Sequence, residues 1–545
     1  MSATSVQELV GERRIFVRNA TGLVRNARLL DVSVFNAAGT TVIPYATGLF
    51  YIFTIFPRAN LLAAIAIGGA LSAITWGCLA LLTATMPRTG GAYIFNSRIL
   101  SPIAGFVADW LDLISSVLAM ALWTTWFATV GLSSAFSAWG ALENSPTVSN
   151  WASAMTQHGW EFGLGVALTV AMFGLAAVSL KKSLRVQNLT FFLSVGGLVV
   201  GMLVMLFTSR ASYIAHFNHF AQPYTHVKDS YHAIIAEAVK AGYTTAGGYS
   251  ASQTIGALFV VFTTSIWAWS SMYVSGEMRG ARSVRRQVIA MVGTGTFQIS
   301  LFFLATLLFY TTAGHTFFVA NNYLNTVGKS PLPSPPYYTL LAAVAAGSPV
   351  IVGIILFTFV LNIWCGFWQL VWQTSRQIFA YSFDGILPEK FAEVNDRTHQ
   401  PVFTLAILGI ACIAMTAWAT FAVNFFNVWA YVGLFAFVML ALTSISAIFL
   451  PVRRRQDYES SGAKISVLGI PVIQILGVGS LAVSVFYFYL AFHYPALLGT
   501  ATVLQSIIAI LVVAASAVLI FTVAKIYRDR RGTPLAYAFE EIPPE

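Results

Sequence analysis

Apolar stretches, each near twenty residues long, recur from Val32 to Ala524, and most charged residues fall between them. A bilayer core of roughly 30 Å takes about 20 apolar residues per helix. The pattern predicts spanning helices over about 32–54, 60–84, 103–135, 161–180, 187–208, 254–276, 287–312, 349–380, 402–421, 425–450, 469–492 and 503–525. The polar connections are too short to hold a folded soluble domain. The expected fold is an all-α integral membrane protein of about twelve transmembrane helices.

Two spans carry interruptions in matching places. In the first, small residues cluster around Gly39 and Pro44 follows within about a turn. Proline is favoured in the first turn of a helix, so one helix can end near Ala38–Thr40 and another begin just after. A continuous helix with a small-residue face and a proline kink fits the same letters. In the sixth, Thr263, Thr264, Ser265, Ser270 and Ser271 can satisfy freed backbone groups, or form a polar packing stripe. Breaks in spans one and six imply two five-helix repeats, 32–208 and 254–450. Five is odd, so the second repeat enters the membrane from the opposite side. A basic arm (1–31), an outer loop (209–253), two further helices (451–526) and a tail (527–545) complete the expected organisation. Broken helices present N–H groups at one end and carbonyls at the other. Asn36, Ala38, Gly39, Thr40 and Thr41 are candidates for an anionic group, and Thr263, Thr264 and Ser265 for an ammonium.

Composition agrees with lipid as the solvent. Hydrophobic residues make up 57% of the chain, charged ones 9%, and the mean hydropathy is +0.74, too few charges for a soluble surface. A net charge of +10 would otherwise suggest nucleic acid. With both termini cytoplasmic, however, only Arg58, Arg210, Lys228, Lys240 and Lys329 of the 30 Lys and Arg lie outside. That asymmetry orients a multi-pass protein in the cell membrane and leaves no nucleic-acid partner to expect. Cys78, Cys365 and Cys412 all fall within spans, so no structural disulfide is expected. His216, His219, His226 and His232 in the outer loop match no structural zinc spacing, and no metal or other cofactor is expected. The spans show no convergent acids, nucleophiles or metal ligands of an enzyme.

Three stretches at inner helix ends carry a family resemblance. Met86-Pro87-Arg88-Thr89-Gly90-Gly91-Ala92-Tyr93 resembles the P-R-(S/T)-G-G-x-Y segment between helices two and three of amino acid permeases. Ser275-Gly276-Glu277-Met278-Arg279 is similar to their A-G-E-x-K-N-P segment closing helix six. Ser375-Arg376, Ala380 and Asp384-Gly385-Ile386-Leu387-Pro388 follow their S-R-x-x-x-A-x-x-x-D-G-x-L-P end of helix eight. The chain thus resembles the amino acid–polyamine–organocation (APC) superfamily over roughly 30–450. The resemblance implies a five-plus-five, LeuT-like inverted repeat with alternating access and a substrate site between the breaks. It implies a secondary active transporter of amino acids, symported with H⁺ or Na⁺; the alternatives are an exchanger or a carrier of a nucleobase or inorganic cation. Glu277 with Arg88 or Arg376 is a candidate inner gate, or Glu277 is an acid neutralised by neighbouring Arg279 or Arg282.

This chain departs from the family's pattern in three places. Trp267-Ala268-Trp269 stands where a G-(F/W/Y)-E run is common. Trp267, Trp269 and Trp368 either shape the substrate site or pack; an ammonium over Trp gains about 0.5–2 kcal/mol. Ser194 falls near the helix-five position where proton-coupled relatives place a lysine, and could ligate Na⁺ or pack. Asp109 and Asp112 occupy the inner third of span three, where relatives are uncharged. A carboxyl at that depth is costly unless paired, protonated or wet. Asp112 is therefore a candidate ion-coupling group, or an interfacial acid paired with Arg98.

Overall fold

The computed structural model describes residues 22–38, 52, 53, 55–244, 248–422, 429–541 and 543. Among these, eleven helices are long and apolar enough to cross a bilayer. With the short apolar helix at the start they form the series α1 (Leu29–Ala38), α2 (Leu61–Thr85), α3 (Pro102–Leu142), α4 (His158–Val178), α5 (Leu180–Phe207), α6 (Ala251–Glu277), α7 (Val284–Thr326), α8 (Pro349–Phe383), α9 (Val402–Phe421), α10 (Trp429–Arg453), α11 (Val472–His493) and α12 (Val503–Arg530). Polar caps define several starts. Asn60 accepts from the Ala63 N–H at 3.1 Å before α2, and Ser101 does the same for Ala104 at 3.3 Å before α3. Thr502 and Gln505 close a reciprocal capping box on α12.

Two spans run further than their hydropathy suggests. α3 continues to Leu142 through a π turn at Phe127–Leu132, and α7 to Thr326 through π turns at Ile289–Gly293 and Tyr310–Gly314. The added segments carry Ser, Thr, Asn and His, so the apolar run stops before the helix does. The 209–253 connection also holds helices, Arg210–Thr225 and Ser230–Lys240. They dock on the far end of α7: the Tyr231 ring stacks on Phe317 at 4.3 Å, and its hydroxyl donates to the Ala313 carbonyl at 2.6 Å.

Packing repeats on itself when helix numbers shift by five. α5 packs along α8 and α10 along α3; α4 packs on α9, α3 on α8 and α2 on α7. Each pair either maps onto another pair or onto itself, which is the signature of two equivalent units related by a two-fold operation. At the crossing of this relation lie α1 and α6. The chain entering α1 and the chain leaving α6 are joined in parallel: Ala27 N–H donates to the Glu277 carbonyl (3.1 Å), and Arg279 N–H to the Ala27 carbonyl (3.0 Å).

Gly90 and Gly91 show why this end needs glycine. Their φ angles are +106° and +46°, and the Gly90 N–H donates to the Tyr273 carbonyl of α6 at 3.1 Å. A Cβ at Gly91 would lie 2.9 Å from Met272 Cγ and Tyr273 Cδ1. Gly91→Ala is therefore expected to cost about 1–3 kcal/mol, read as a lower midpoint in detergent unfolding.

Candidate functional site

The helical part of α6 ends at Ser265, and the chain resumes as a 3₁₀ segment over Ser270–Glu277. A helix end leaves carbonyls without partners, and two tryptophans supply them. Trp76 of α2 donates its indole N–H to the Ile266 carbonyl at 2.8 Å, and Trp267 folds back to the Thr263 carbonyl at 2.7 Å. The expected interruption of span six is present. Thr263, Thr264 and Ser265 turn their hydroxyls onto carbonyls one turn earlier, Phe259, Val260 and Val261, which eases a helix toward its end.

α1 is described from Leu29 to Ala38; Gly39, Thr40, Thr41 and Pro44 lie outside the described residues. The Ala37 and Ala38 carbonyls of α1 also meet amide side chains. Gln298 of α7 donates to the Ala37 carbonyl (3.0 Å), and Asn362 of α8 approaches the Ala38 carbonyl at 3.5 Å. Asn36 binds α1 to α6: its Oδ1 accepts from the Ser271 N–H (2.8 Å), and its Nδ2 reaches Ser271 Oγ (2.8 Å) and the Ala290 carbonyl (2.6 Å).

Beside the α6 break, a cavity opens between α3, α6, α8 and α10. Ser115, Ser116 and Trp123 line it from α3, Thr263, Trp267 and Ser270 from α6, Gly366 and Gln369 from α8. Among the described residues, no ionisable side chain lines it. Gly366 allows Trp123 to lie against α8, since a Cβ there would sit 2.7 Å from the indole. Gln369 donates to Ser270 Oγ at 2.7 Å, joining the cavity wall of α8 to the α6 break. Of the sequence candidates, Thr263 and Trp267 line this space. Trp269 is fully buried against Trp267 instead (5.4 Å between rings). Trp368 faces α5, donating to Gln187 Oε1 at 3.1 Å. Ser194 is buried on α5 with no partner for its hydroxyl.

Below the cavity, α8 carries polar side chains toward α3 and α6. Glu277 and Arg376 form a bidentate pair, Nε to Oε1 at 2.6 Å and Nη2 to Oε2 at 2.9 Å, with both side chains 1% exposed. Trp372 adds an indole N–H to Oε1 at 3.3 Å, and Phe35 of α1 packs edge-on against Trp372 at 4.8 Å. Arg88 does not join this pair; it donates to the Pro543 carbonyl at 2.7 Å. A second buried pair closes the end of α8. Arg98 holds Asp384 through both oxygens (2.6 and 2.9 Å), and the Tyr93 hydroxyl donates to the same carboxylate at 2.6 Å. Arg98 also reaches the Ala538 carbonyl (3.1 Å), and Arg454 the Phe539 carbonyl (3.3 Å), which lays the C-terminal segment across this end. Between the pairs and the cavity sit Asp109 and Asp112, held by Tyr273, Tyr381, Gln373 and Gln377.

Sequence reading singled out Asp109 and Asp112 but not their partners. Gln369, Gln373, Gln377 and Tyr381 recur every fourth residue in a 35-residue helix rich in apolar side chains. That spacing puts them on one face and was the legible signal. In the 209–253 connection His232 pairs with Asp229 at 2.8 Å, and no metal-ligating group of three or more His, Cys, Asp or Glu occurs among the described residues.

Comparison with known proteins agrees with this architecture. The sequence model of the amino acid permease family matches residues 32–527. No curated protein sequence matches the chain. Among solved structures, the crystal structure of MhsT in complex with L-phenylalanine is similar, with a TM-score of 0.55 at 12% identity, covering 86% of this chain and 99% of that one. The fold is therefore LeuT-like, a multi-pass helical membrane fold with span six broken beside a cavity. The family match spans nearly the whole chain, so the protein belongs to the amino acid permease family of the APC superfamily and is a secondary transporter of amino acids, not an enzyme.

Proposed function

We propose that this permease carries neutral amino acids with apolar or aromatic side chains, by alternating access and in symport with an ion, with both termini cytoplasmic. The observation that carries the substrate class is the cavity wall. Trp123, Trp267, Leu370 and Val432 supply apolar surface, the polar side chains are hydroxyls and one amide, and among the described residues none that lines it is charged. A charged side chain brought there would lose its hydration without a counter-ion. The bound L-phenylalanine of the similarly folded MhsT supports the same class. The α-carboxylate is assigned to backbone N–H groups following Ala38, and the ammonium to carbonyls at Thr263–Ser265 beside the Trp267 face. Excess Lys and Arg at the ends where α6 and α8 finish supports the orientation. Glu277 and Arg376 then act as the inner gate, with Arg88 outside the pair.

Uptake of labelled L-phenylalanine into proteoliposomes tests this. L-leucine and L-tryptophan are expected to compete; L-lysine, L-glutamate and spermidine are not. Trp267→Ala is expected to raise KM by roughly 2- to 30-fold, the equivalent of about 0.5–2 kcal/mol of lost ring contact. Equal competition by charged amino acids or by amines lacking a carboxylate overturns the reading.

A further inference from the structure

We propose that Asp109 and Asp112, set between α3, α6 and α8, form a proton-binding site tied both to the substrate cavity and to closure of the inner side. The inference rests on the ion-coupled reading above and names its ion and its site.

Both aspartates are fully buried. Asp109 Oδ2 accepts the Tyr381 hydroxyl at 2.6 Å. Asp112 Oδ2 accepts the Gln373 and Gln377 amides, each at 3.0 Å. Tyr273 Oη then lies 2.9 Å from Asp109 Oδ1 and 2.8 Å from Asp112 Oδ2. A phenol has one hydrogen and cannot serve both oxygens. The second contact needs a hydrogen carried by a carboxyl. The arrangement that satisfies every contact places it on Asp109 Oδ1, donating to Tyr273 Oη, while Tyr273 donates to Asp112 Oδ2. Two further acceptors, Asp112 Oδ1 and Gln377 Oε1, are buried without any partner, so the cluster has more places for a proton than protons supplied by its side chains.

Among the described residues, no cation neutralises the pair. From α6 come Tyr273 and Glu277, and Glu277 is held by Arg376. From α8 come Tyr381 and Arg376, and from its C-cap Asp384, which is held by Arg98. The short helix Ala92–Ile99 brings Tyr93, whose hydroxyl also goes to Asp384. Among the described residues, α4, α9, α10 and α12 contribute no titratable contact to either carboxyl. A metal ion is a poorer occupant than a proton. Hydroxyl and amide hydrogens already point at Asp109 Oδ2 and Asp112 Oδ2, and Tyr273 Oη lies against Asp109 Oδ1, whereas a hard cation needs several bare oxygens.

The cluster is wired in both directions. Gln373 donates to Asp112 and to Ser116, and Ser116 lines the cavity. The proton can shift from Asp109 to Tyr273 as the Tyr273 hydrogen passes to Asp112. Asp109 is left ionised against Tyr381, with total charge unchanged. With the proton bound, Tyr273 and Tyr381 tie the second half of α6 and the end of α8 to α3. Its loss leaves two buried negative charges facing each other across one phenol, which favours separation of these helices and opening of the inner side.

Infrared spectra of the purified protein, recorded without substrate from about pH 5 to about pH 10, test the site directly. A protonated-carboxyl carbonyl band, shifted in D₂O, is expected near neutral pH. It should vanish on alkalinisation and be absent from the Asp109→Asn, Asp112→Asn double variant. A missing band, or one the double variant retains, overturns the proposal. Loss of the band on adding Na⁺ at constant pH also overturns it and assigns a metal cation. In proteoliposomes, an inward proton gradient should raise accumulation several-fold in the wild type. Asp112→Asn should abolish that gain and Asp112→Glu restore it, while equal-pH exchange continues at a reduced rate. If the infrared pattern holds but no neutral amino acid is transported, the proton site stands and the substrate reading fails.

Discussion

Arg376→Ala is expected to be among the most damaging single substitutions, lowering stability by about 3–5 kcal/mol and leaving the cavity open at the end where α6 and α8 finish, the cytoplasmic one in the proposed orientation. The reason is the company Glu277 keeps. Both members of the pair are 1% exposed, so removing the guanidinium strands a carboxylate far from water. Trp372 alone, at 3.3 Å, offers one neutral donor in its place. Gln400, which accepts from Arg376 Nη2 at 2.9 Å, loses its partner as well. Two controls separate charge from packing. Glu277→Gln with Arg376 intact leaves the opposite charge unpaired and should be harmful too. Replacing both by Leu and Met removes the charges together and should recover much of the loss. The measurement is thermal unfolding in detergent, together with thiol labelling of Ala119→Cys from the cytoplasmic side. Ala119 lines the cavity, and the native Cys78, Cys365 and Cys412 are buried. Faster labelling in Arg376→Ala supports the gate; unchanged labelling with unchanged stability removes it.

Asn36→Leu is expected to abolish transport and to cost about 2–4 kcal/mol, because it orphans the Ser271 N–H and the Ala290 carbonyl together, each worth about 1–3 kcal/mol when buried unpaired. Leucine has similar volume, so lost packing is a minor contributor. The lost function follows from geometry. Asn36 is the side chain through which α1 holds the start of the 3₁₀ segment of α6, and the proposed alternating access needs α1 and α6 to move in register. Asn36→Asp keeps the acceptor for the Ser271 N–H but faces the Ala290 carbonyl with an oxygen, so it should fail nearly as badly. Uptake and unfolding of the two variants, measured together, check this: wild-type uptake in Asn36→Leu excludes the coupling role.

These effects concentrate along one face of α8. From the cavity outward it presents Gln369 to Ser270, Gln373 and Gln377 to Asp112, Tyr381 to Asp109 and Asp384 to Arg98. A helix so bound to α3 and α6 moves with them or releases them as a set, which links the state of the cavity to the state of the inner end.

How much of this was legible beforehand divides along a physical line. The spans, the expected bias of positive charge, the break in span six and the three family stretches are all local properties. Bilayer thickness fixes the apolar length of a helix whatever its neighbours are, and the glycines of Gly90-Gly91 are demanded by their own backbone angles. Partner choice is not local. Sequence offered Glu277 both Arg88 and Arg376 and offered Asp109 and Asp112 Arg98; packing gave Arg376 to Glu277, Arg98 to Asp384, and two tyrosines to the aspartates. It also turned Trp368 toward α5 and directed the Trp267 N–H to a carbonyl of its own helix. In a low-dielectric interior a charged or polar group must find whichever partner the fold brings within about 3 Å. That distance depends on how helices far apart in sequence lie against each other, and only the tertiary structure decides it.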